Sequence, residues 1–139
     1  MRKKTQRRSD CPISFALDIY GDKWSLLIIR DLLFFGKTTY GDFLESKEGI
    51  STNILADRLE TLESNGIVTK AVDTSNKTKF IYSITDKGID LLPILVEIMI
   101  WSATYDPQTE VPKELTKQII NDQANFIKKT KESLQKKNT

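Results

Sequence analysis

A short run of hydrogen-bonding side chains, Ser51-Thr52-Asn53, is the part of the sequence best suited to chemistry. Asparagine can make a bidentate contact with adenine, and hydroxyl groups can bind base edges or phosphates. Arg58 follows shortly after and has two possible roles. It can bind guanine in the same bidentate way, or it can form an ion pair with an acid at the edge of the core. This pattern predicts polar recognition of another molecule.

The helix that carries these side chains is predicted from its start, its period and its end. Ser51 is a suitable N-cap, and Asn65-Gly66 supplies the left-handed residue that ends many helices. Between them, Leu55, Leu59 and Leu62 recur at helical spacing and indicate one buried face. A helix held on its leucine face presents its N-terminal polar side chains outward, as the recognition helix of a helix-turn-helix does. An ordinary surface helix would show the same pattern.

The single cysteine, Cys11, is the other candidate for chemistry. Pro12 suits the first position of a short helix that ends at Tyr20-Gly21. A cysteine at a helix N-terminus, with Arg7 and Arg8 just upstream, lies where positive charge favours the reactive thiolate. Cys11 is therefore a candidate redox sensor, and a buried, inert cysteine is the alternative. One cysteine forms no disulfide within a chain, which fits a reducing cytoplasmic location.

The elements around the candidate recognition helix complete a winged helix-turn-helix. A helix over residues 23–34 and a brief helix over 40–46 precede it, which is the helix-turn-helix order. Two strands follow over 67–72 and 79–84, joined by a polar turn over 73–78, and the second strand shows period-2 alternation. Strands in this position form the wing of a winged helix. We therefore expect a mainly α (α+β) fold.

Additional helices are predicted on both sides of this core. A helix over 87–105 is apolar around most of its circumference, which indicates burial on more than one side and hence a dimer interface. Pro93 should bend this helix, and a last amphipathic helix is predicted over 115–133. We expect three regions: a flexible basic arm over 1–10, a winged-helix DNA-binding domain with dimerisation helices over 11–105, and a C-terminal helix with a lysine-rich tail over 106–139.

Composition and charge narrow the function. The 139 residues contain no histidine, no glycine-rich phosphate loop, no metal-ligand spacing and no nucleophile–base pair. We therefore predict no enzyme, no cofactor and no metal. Residues 9–127 hold 11 basic and 18 acidic side chains, a net charge of 11 − 18 = −7. A nucleic-acid binder usually shows a basic footprint and this part of the chain does not, so charge alone argues weakly against DNA binding. The most apolar run, Ile89–Trp101, is too short to span a membrane, so we expect no membrane partner.

Together and in order, these residues resemble the HxlR family, winged-helix transcription regulators related to MarR proteins. The matching segments cover roughly residues 11–102 and are Cys11-Pro12, Gly21-Asp22-Lys23-Trp24, Leu26–Leu33, Gly49-Ile50-Ser51, Leu55, Arg58-Leu59, Leu62-Glu63, Asn65-Gly66, Tyr82-Ser83-Ile84-Thr85 and Gly88. The resemblance implies a homodimeric, cytoplasmic, bacterial regulator that binds double-stranded DNA. It also implies a sensor role for Cys11, because several relatives respond to oxidants or electrophiles through a cysteine just before the first helix.

The sequence departs from the family pattern in a few positions. Asp22 replaces a usual glycine, and Thr39-Tyr40 lacks the basic residue that usually precedes the aromatic residue. The wing lacks the usual prolines and has Ile81 where an acidic residue is common. The missing basic residue puts a phosphate contact at the start of the brief helix in doubt.

We therefore expect a transcription regulator that binds a palindromic operator as a homodimer. Its candidate DNA-binding residues are Lys37, Thr38, Tyr40, Lys47, Ser51, Thr52, Asn53, Ala56, Arg58, Lys77 and Lys79. The signal at Cys11 would be either a bond between the two Cys11 residues of a dimer or an adduct with a small thiol or electrophile. The alternatives are a regulator gated by a ligand in the dimer groove, near Met99, Trp101 and Tyr105, and a winged helix used for protein contacts.

Overall fold

The computed structural model describes residues 7–109 and 113–137. The chain divides into two compact units, one up to Gly88 and one from Ile89 onward. The three regions predicted above stay a prediction, and residues 1–6, 110–112 and 138–139 of them lie outside the described residues.

The first unit is a winged helix-turn-helix. Its elements in chain order are α1 (Pro12–Tyr20), α2 (Ser25–Phe34), α3 (Tyr40–Leu44), α4 (Thr52–Ser64), β1 (Val68–Val72) and β2 (Phe80–Ile84), and the short α5 (Asp86–Ile89) follows at the boundary. The two strands are antiparallel, with Val68 opposite Ile84 and Val72 opposite Phe80. The predicted mainly helical fold with a two-stranded wing is confirmed.

The leucine face of α4 forms the centre of this unit. Leu55, Leu59 and Leu62 are each at most 2% exposed, and α4 packs against α2, α3 and β1. Phe43 of α3 is also buried and meets Tyr82 of β2 edge-on, with 6.2 Å between the ring centroids. Burial of each large apolar side chain stabilises the fold by roughly 1.5–3 kcal/mol.

Both ends of α4 are capped as the sequence predicts. The Ser51 Oγ accepts a hydrogen bond from the Ile54 amide at 3.3 Å. At the other end Gly66 has a φ of +75°, a left-handed conformation that favours glycine. The exposed carbonyl groups there find partners, since Thr85 Oγ1 donates to the Gly66 carbonyl at 2.6 Å and Lys87 Nζ donates to the Asn65 carbonyl at 2.7 Å.

The second unit contains α6 (Leu92–Tyr105), α7 (Lys113–Asn121) and α8 (Gln123–Lys137), which pack against one another. Two predictions about these helices are wrong. The helix predicted over 87–105 is interrupted between α5 and α6 rather than bent, because Pro93 lies in the first turn of α6, where a missing amide hydrogen costs nothing. The helix predicted over 115–133 is two helices, and Asp122 Oδ1 accepts a hydrogen bond from the Asn125 amide at 3.1 Å at the start of α8.

Helix α6 exposes a continuous apolar stripe. Ile94, Ile98, Trp101 and Tyr105 are all exposed, the last two by 65% and 71%, and the two rings lie 5.4 Å apart. The helical stretch Asp86–Tyr105 has a mean hydropathy of 1.4 over 18 residues, so by length and composition alone it meets the criterion for a membrane span. Core helices of soluble proteins meet the same criterion, and only 28% of this window is buried. The stripe is therefore a candidate interaction surface.

Two glycines provide a matched test of the packing around the wing. A Cβ atom at Gly88 would lie 2.5 Å from the Ile67 carbonyl oxygen and 2.6 Å from the Ile84 side chain, whereas one at Gly41 would meet nothing within 4 Å. We expect Gly88→Ala to lower the free energy of unfolding by about 1–3 kcal/mol through overpacking. Gly41→Ala, in α3, should leave it unchanged or raise it by up to about 1 kcal/mol.

Urea unfolding followed by circular dichroism measures both variants under the same conditions. Equal stability of the two variants would contradict the close packing at Gly88.

Candidate nucleic-acid interface

The N-terminal half of α4 presents small polar side chains to solvent. Thr52, Asn53 and Ala56 are exposed, whereas Ser51 is occupied in part as the N-cap. The opposite face is buried through its leucines, so the rotation of α4 about its own axis is set by packing. The first-turn amide groups give this end of the helix a partial positive charge. This end therefore combines exposed hydrogen-bonding groups with an electrostatic preference for anions.

Helix α3 is fixed at its start by a capping box that the sequence analysis missed. Thr39 Oγ1 accepts from the Asp42 amide at 3.2 Å, and Asp42 Oδ2 accepts from the amide groups of Thr39 and Thr38 at 3.2 and 3.3 Å. Burial would raise the pKa of Asp42, but these hydrogen bonds and the charge of Lys37 outweigh it and lower the pKa. The pattern Thr-x-x-Asp was the signal that could have revealed it.

Two further contacts connect α3 with its neighbours. The Tyr40 hydroxyl donates a hydrogen bond to the Thr52 carbonyl at the start of α4. The Tyr82 amide of β2 donates to the Thr38 carbonyl at 2.7 Å. The predicted residue Thr38 therefore connects the wing to the start of α3. The predicted residue Tyr40 connects α3 to the start of α4.

A groove of about 820 Å³ lies between α3, α4 and the wing. Tyr40, Ala56 and Lys79, all predicted DNA-binding residues, line it. Glu60 and Glu63 form an acidic wall on the α4 side, and Lys70, with its ammonium 4.1 Å from the centre of the Phe80 ring, faces them from the wing. This groove brings together predicted residues and acidic residues that the sequence analysis did not identify as part of the site.

The tip of the wing is held by two side-chain turns. Asp73 Oδ1 accepts from the Ser75 amide and hydroxyl at 2.9 and 2.8 Å, and Asn76 Oδ1 accepts from the Thr78 amide and hydroxyl at 3.1 and 2.6 Å. The two hydrogen bonds from Ser75 lower the pKa of Asp73. Because the local polar groups bond to one another, Lys77 is left exposed at the tip.

The other predicted cations differ in their surroundings. Lys47 is exposed between α3 and α4. Lys37 is half-buried, with its ammonium 3.7 Å from Asp31. Arg58 is also half-buried, and its Nε lies 3.4 Å from Asp22. Phosphate contacts are therefore easier for Lys47, Lys77 and Lys79 than for Lys37 and Arg58.

An ion-pair network beside Lys37 was not anticipated from the sequence. Asp31 is buried, and its Oδ1 accepts hydrogen bonds from the Nε and Nη2 atoms of Arg30 at 3.0 and 2.8 Å. Arg30 also reaches Glu48 and Ser46 in the turn before α4, each at 3.3 Å. This network connects α2 to the turn of the helix-turn-helix. The adjacent charged residues Arg30 and Asp31, within an otherwise apolar helix, were the sequence signal for this network.

Cys11 is exposed at the N-terminus of α1, and its side chain forms no capping bond. The preceding residues fold back on α1, since Arg8 Nε donates to Asp18 Oδ1 at 2.6 Å and the Arg7 guanidinium lies 5.4 Å from the centre of the Phe15 ring. Of the predicted flexible arm, residues 7–10 are described and residues 1–6 lie outside the described residues. Cys11 therefore lies between an anchored arginine and the first turn of a helix.

The remaining candidates are a ligand cavity in the second unit and a metal site among the described residues. In the second unit, the cavity beside Met99, Ile100 and Ile119 has no room for a water molecule. Within residues 7–109 and 113–137, no group of three histidine, cysteine, aspartate or glutamate side chains is arranged to hold a metal ion.

Comparison with known proteins agrees with this geometry. A family model described as HxlR-like helix-turn-helix matches residues 19–110. The HTH-type transcriptional regulator sll1512 of Synechocystis, itself uncharacterized, is 36% identical over 86 residues, which are 62% of this chain and 63% of that protein. The chain therefore spans less than two thirds of the length of this relative.

Solved structures are similar as well. A candidate transcription factor, PA1607, superposes with a TM-score of 0.69 at 37% identity and covers 78% of this chain and 76% of its own. The reduced form of the transcriptional regulator YodB from Bacillus subtilis has a TM-score of 0.58 at 31% identity and covers 73% of this chain and 100% of its own. YodB has also been solved with quinone bound and after treatment with diamide.

The capping box at Asp42 predicts a pH-dependent effect on stability. Because the folded-state pKa is lowered, the carboxylate stabilises the fold above its unfolded pKa, near 4, and this stability is lost as the pH falls through the lower folded pKa. We expect Asp42→Asn to reduce the free energy of unfolding by about 1 kcal/mol at pH 7 and at pH 5. The difference from the unaltered protein should shrink below pH 4.

Glu45→Gln is the matched control, since it removes one negative charge from an exposed residue just after α3. Urea unfolding at three pH values measures both variants. An equal loss in the two variants would mean that net charge, not the cap, is responsible.

Proposed function

Because the chain belongs to the HxlR-like helix-turn-helix family, we propose that it is a cytoplasmic transcriptional regulator that binds a palindromic DNA operator as a homodimer and senses oxidants or electrophiles through Cys11. The observation that carries the proposal is the exposed N-terminal face of α4, held in a fixed rotation by its buried leucines and flanked by the wing. That arrangement suits insertion of a helix into the major groove.

Each part of the interface has a separate task in this proposal. Asn53 reads a base edge, and adenine is the base that asparagine contacts with two hydrogen bonds. Thr52 and Ala56 lie on the same exposed face and accommodate neighbouring bases. Lys47, Lys77 and Lys79 bind phosphates and so position the protein without specifying sequence.

Two exposed apolar surfaces support the homodimer. In the first unit, α1 exposes Ile13, Phe15 and Leu17, and in the second unit α6 exposes the stripe that contains Trp101 and Tyr105. A second copy of the chain would remove these surfaces from water, and a two-fold dimer matches a palindromic operator. Asp90 and Glu97, both exposed on the same helical stretch, favour a protein partner over lipid.

The exposure of Cys11 supports its sensor role. A quinone would add to the thiolate through a new carbon–sulfur bond, and diamide would join two Cys11 thiols while being reduced itself. Either product places bulk between Arg8, anchored on Asp18, and the first turn of α1. If α1 forms part of the dimer interface, such a change alters the spacing of the two recognition helices and so the fit to the operator.

The first prediction from this proposal concerns DNA binding and salt. Each subunit offers three exposed candidate lysines, Lys47, Lys77 and Lys79, so a dimer would neutralise roughly six phosphates, and log K should fall against log salt with a slope of about −5. Fluorescence anisotropy with an operator selected from random duplexes, at four salt concentrations, measures the slope. A slope near −9, which corresponds to about ten phosphates, would contradict this small electrostatic footprint.

Two variants separate base reading from phosphate contact in the same assay. Asn53→Ala should weaken operator binding by about 1–3 kcal/mol and relax the preference at one base pair. Lys77→Gln should weaken binding to all duplex sequences alike and reduce the salt slope by roughly 1 for each subunit. If the unaltered protein selects no duplex sequence, a role of the winged helix in protein contacts would replace the proposed DNA binding.

The second prediction concerns the cysteine. Diamide should abolish operator binding by the unaltered protein, and a reductant should restore it. Cys11→Ser should bind the operator with unchanged affinity and ignore diamide, because the chain has no other cysteine. Non-reducing gel electrophoresis distinguishes a disulfide-bonded dimer from a small adduct. A Cys11→Ser protein that still releases DNA on treatment would exclude the sensor role and favour a ligand-gated regulator.

A further inference from the structure

Asp22 is held rigidly at the corner between α1 and α2. Its Oδ2 accepts the amide groups of Trp24 and Ser25 at 2.8 and 2.9 Å, and its Oδ1 accepts the hydroxyl of Ser25 at 2.6 Å. Ser25 itself is fully buried. Burial would raise the pKa of Asp22, but these hydrogen bonds and the charge of Arg58 together lower the pKa, so the carboxylate stays charged at neutral pH. Asp22 is therefore a fixed negative charge.

Arg58, in the middle of α4, is directed toward that charge. Its Nε lies 3.4 Å from Asp22 Oδ2 and is buried, without a hydrogen bond to any described residue. Its Nη1 lies 3.6 Å from Asp57. The contact with Asp22 is therefore an ion pair without a directed hydrogen bond, and Asp57 is a second acid beside the guanidinium.

The helical geometry separates Arg58 from the residues that face DNA in the proposed function. At about 100° for each residue, Arg58 points about 140° from Asn53 and about 160° from Ala56. An arginine that projects from the far side of the helix and pairs with α2 is poorly placed to reach the same base edges. Of the two roles that the sequence leaves open for Arg58, the structure favours the ion pair.

We propose that Arg58 is a positioning residue, whose ion pair with Asp22 fixes the recognition helix against the α1–α2 corner and thereby sets operator selectivity without contacting DNA. The inference rests on the proposed DNA-binding function. The leucine face limits the rotation of α4, and the contacts at its two ends limit its position along the axis. The charge pair adds a restraint at the middle of the helix, toward the α1–α2 corner. Base contacts depend on this alignment, whereas contacts of flexible lysines with phosphates tolerate small shifts.

Selectivity and the salt slope distinguish positioning from contact. Arg58→Gln and Asp22→Asn should each weaken binding to the selected operator on the order of ten-fold, leave binding to a non-specific duplex of equal length within about two-fold, and leave the salt slope unchanged. The double variant should be no weaker than either single variant, because both changes remove the same pair. Asparagine at position 22 retains an oxygen that can accept the Trp24 and Ser25 amide hydrogens, so this variant keeps the cap.

Lys77→Gln is the matched control, since it should weaken both duplexes equally and reduce the slope. An Arg58→Gln protein that behaves like this control would overturn the inference, as would full operator binding by Asp22→Asn or additive losses in the double variant. Circular dichroism and thermal unfolding establish that each variant is folded. If Arg58→Gln does not fold, Arg58→Lys should show a smaller loss for the operator alone.

The result is separable from a failure of the proposed function itself. If the unaltered protein prefers no duplex in the selection, DNA regulation is wrong before any variant is compared. If it does select an operator and Arg58→Gln lowers non-specific binding and the slope, only the positioning role is wrong.

Discussion

The rotation of α4 about its own axis is the constraint on which the rest of the structure depends. Three leucines at positions 55, 59 and 62 are removed almost completely from water, and turning the helix would expose them at a cost of several kcal/mol. That cost decides which side chains face outward. The hydrogen-bonding residues at the start of α4 are exposed because the opposite face is buried, so the candidate interface is a consequence of core packing.

Polar contacts then fix the ends and corners that apolar packing leaves free. Thr39 and Asp42 cap α3, and Ser51 caps α4. Asp22, just before α2, accepts the amide of Ser25, the first residue of that helix, so a nearby side chain satisfies an early amide group of each helix. The Tyr40 hydroxyl and the Tyr82 amide connect these corners to α4 and to the wing. The backbone that carries the interface residues is therefore held by hydrogen bonds within the protein.

Much of the fold could be predicted because its signals are local. The cap at Ser51, the stop at Gly66 and the alternation of Phe80 and Tyr82 each lie within a few residues of the structure they determine. Prediction failed where one local pattern fits two structures. A proline such as Pro93 can bend a helix or begin one. The sequence around Asp122 has the apolar spacing of one continuous amphipathic helix, although two helices meet there. Ion pairs between distant residues, such as Arg30 with Glu48, depend on the packed arrangement and were not accessible from spacing.

The candidate site shows the same division. Exposure of Asn53 and Lys77 follows from helix period and turn chemistry, so the sequence suffices for both. The half-burial of Lys37 beside Asp31 and the direction of Arg58 depend on which acid lies nearest in three dimensions. Long basic side chains reach several partners, and sequence alone does not choose among them.

The acidic wall of the groove beside α4 has a consequence for how a DNA-binding protein of this design searches a chromosome. Glu60 lines this groove together with Ala56 of α4. In the proposed complex it would repel the phosphates of every sequence alike, so weak encounters with ordinary DNA would be short. Brief encounters favour repeated release into solution over long sliding along one duplex. In a regulator that acts as proposed, a larger share of the molecules would then stay unbound between sites, and occupancy of the operator would respond quickly when the number of competent molecules changes.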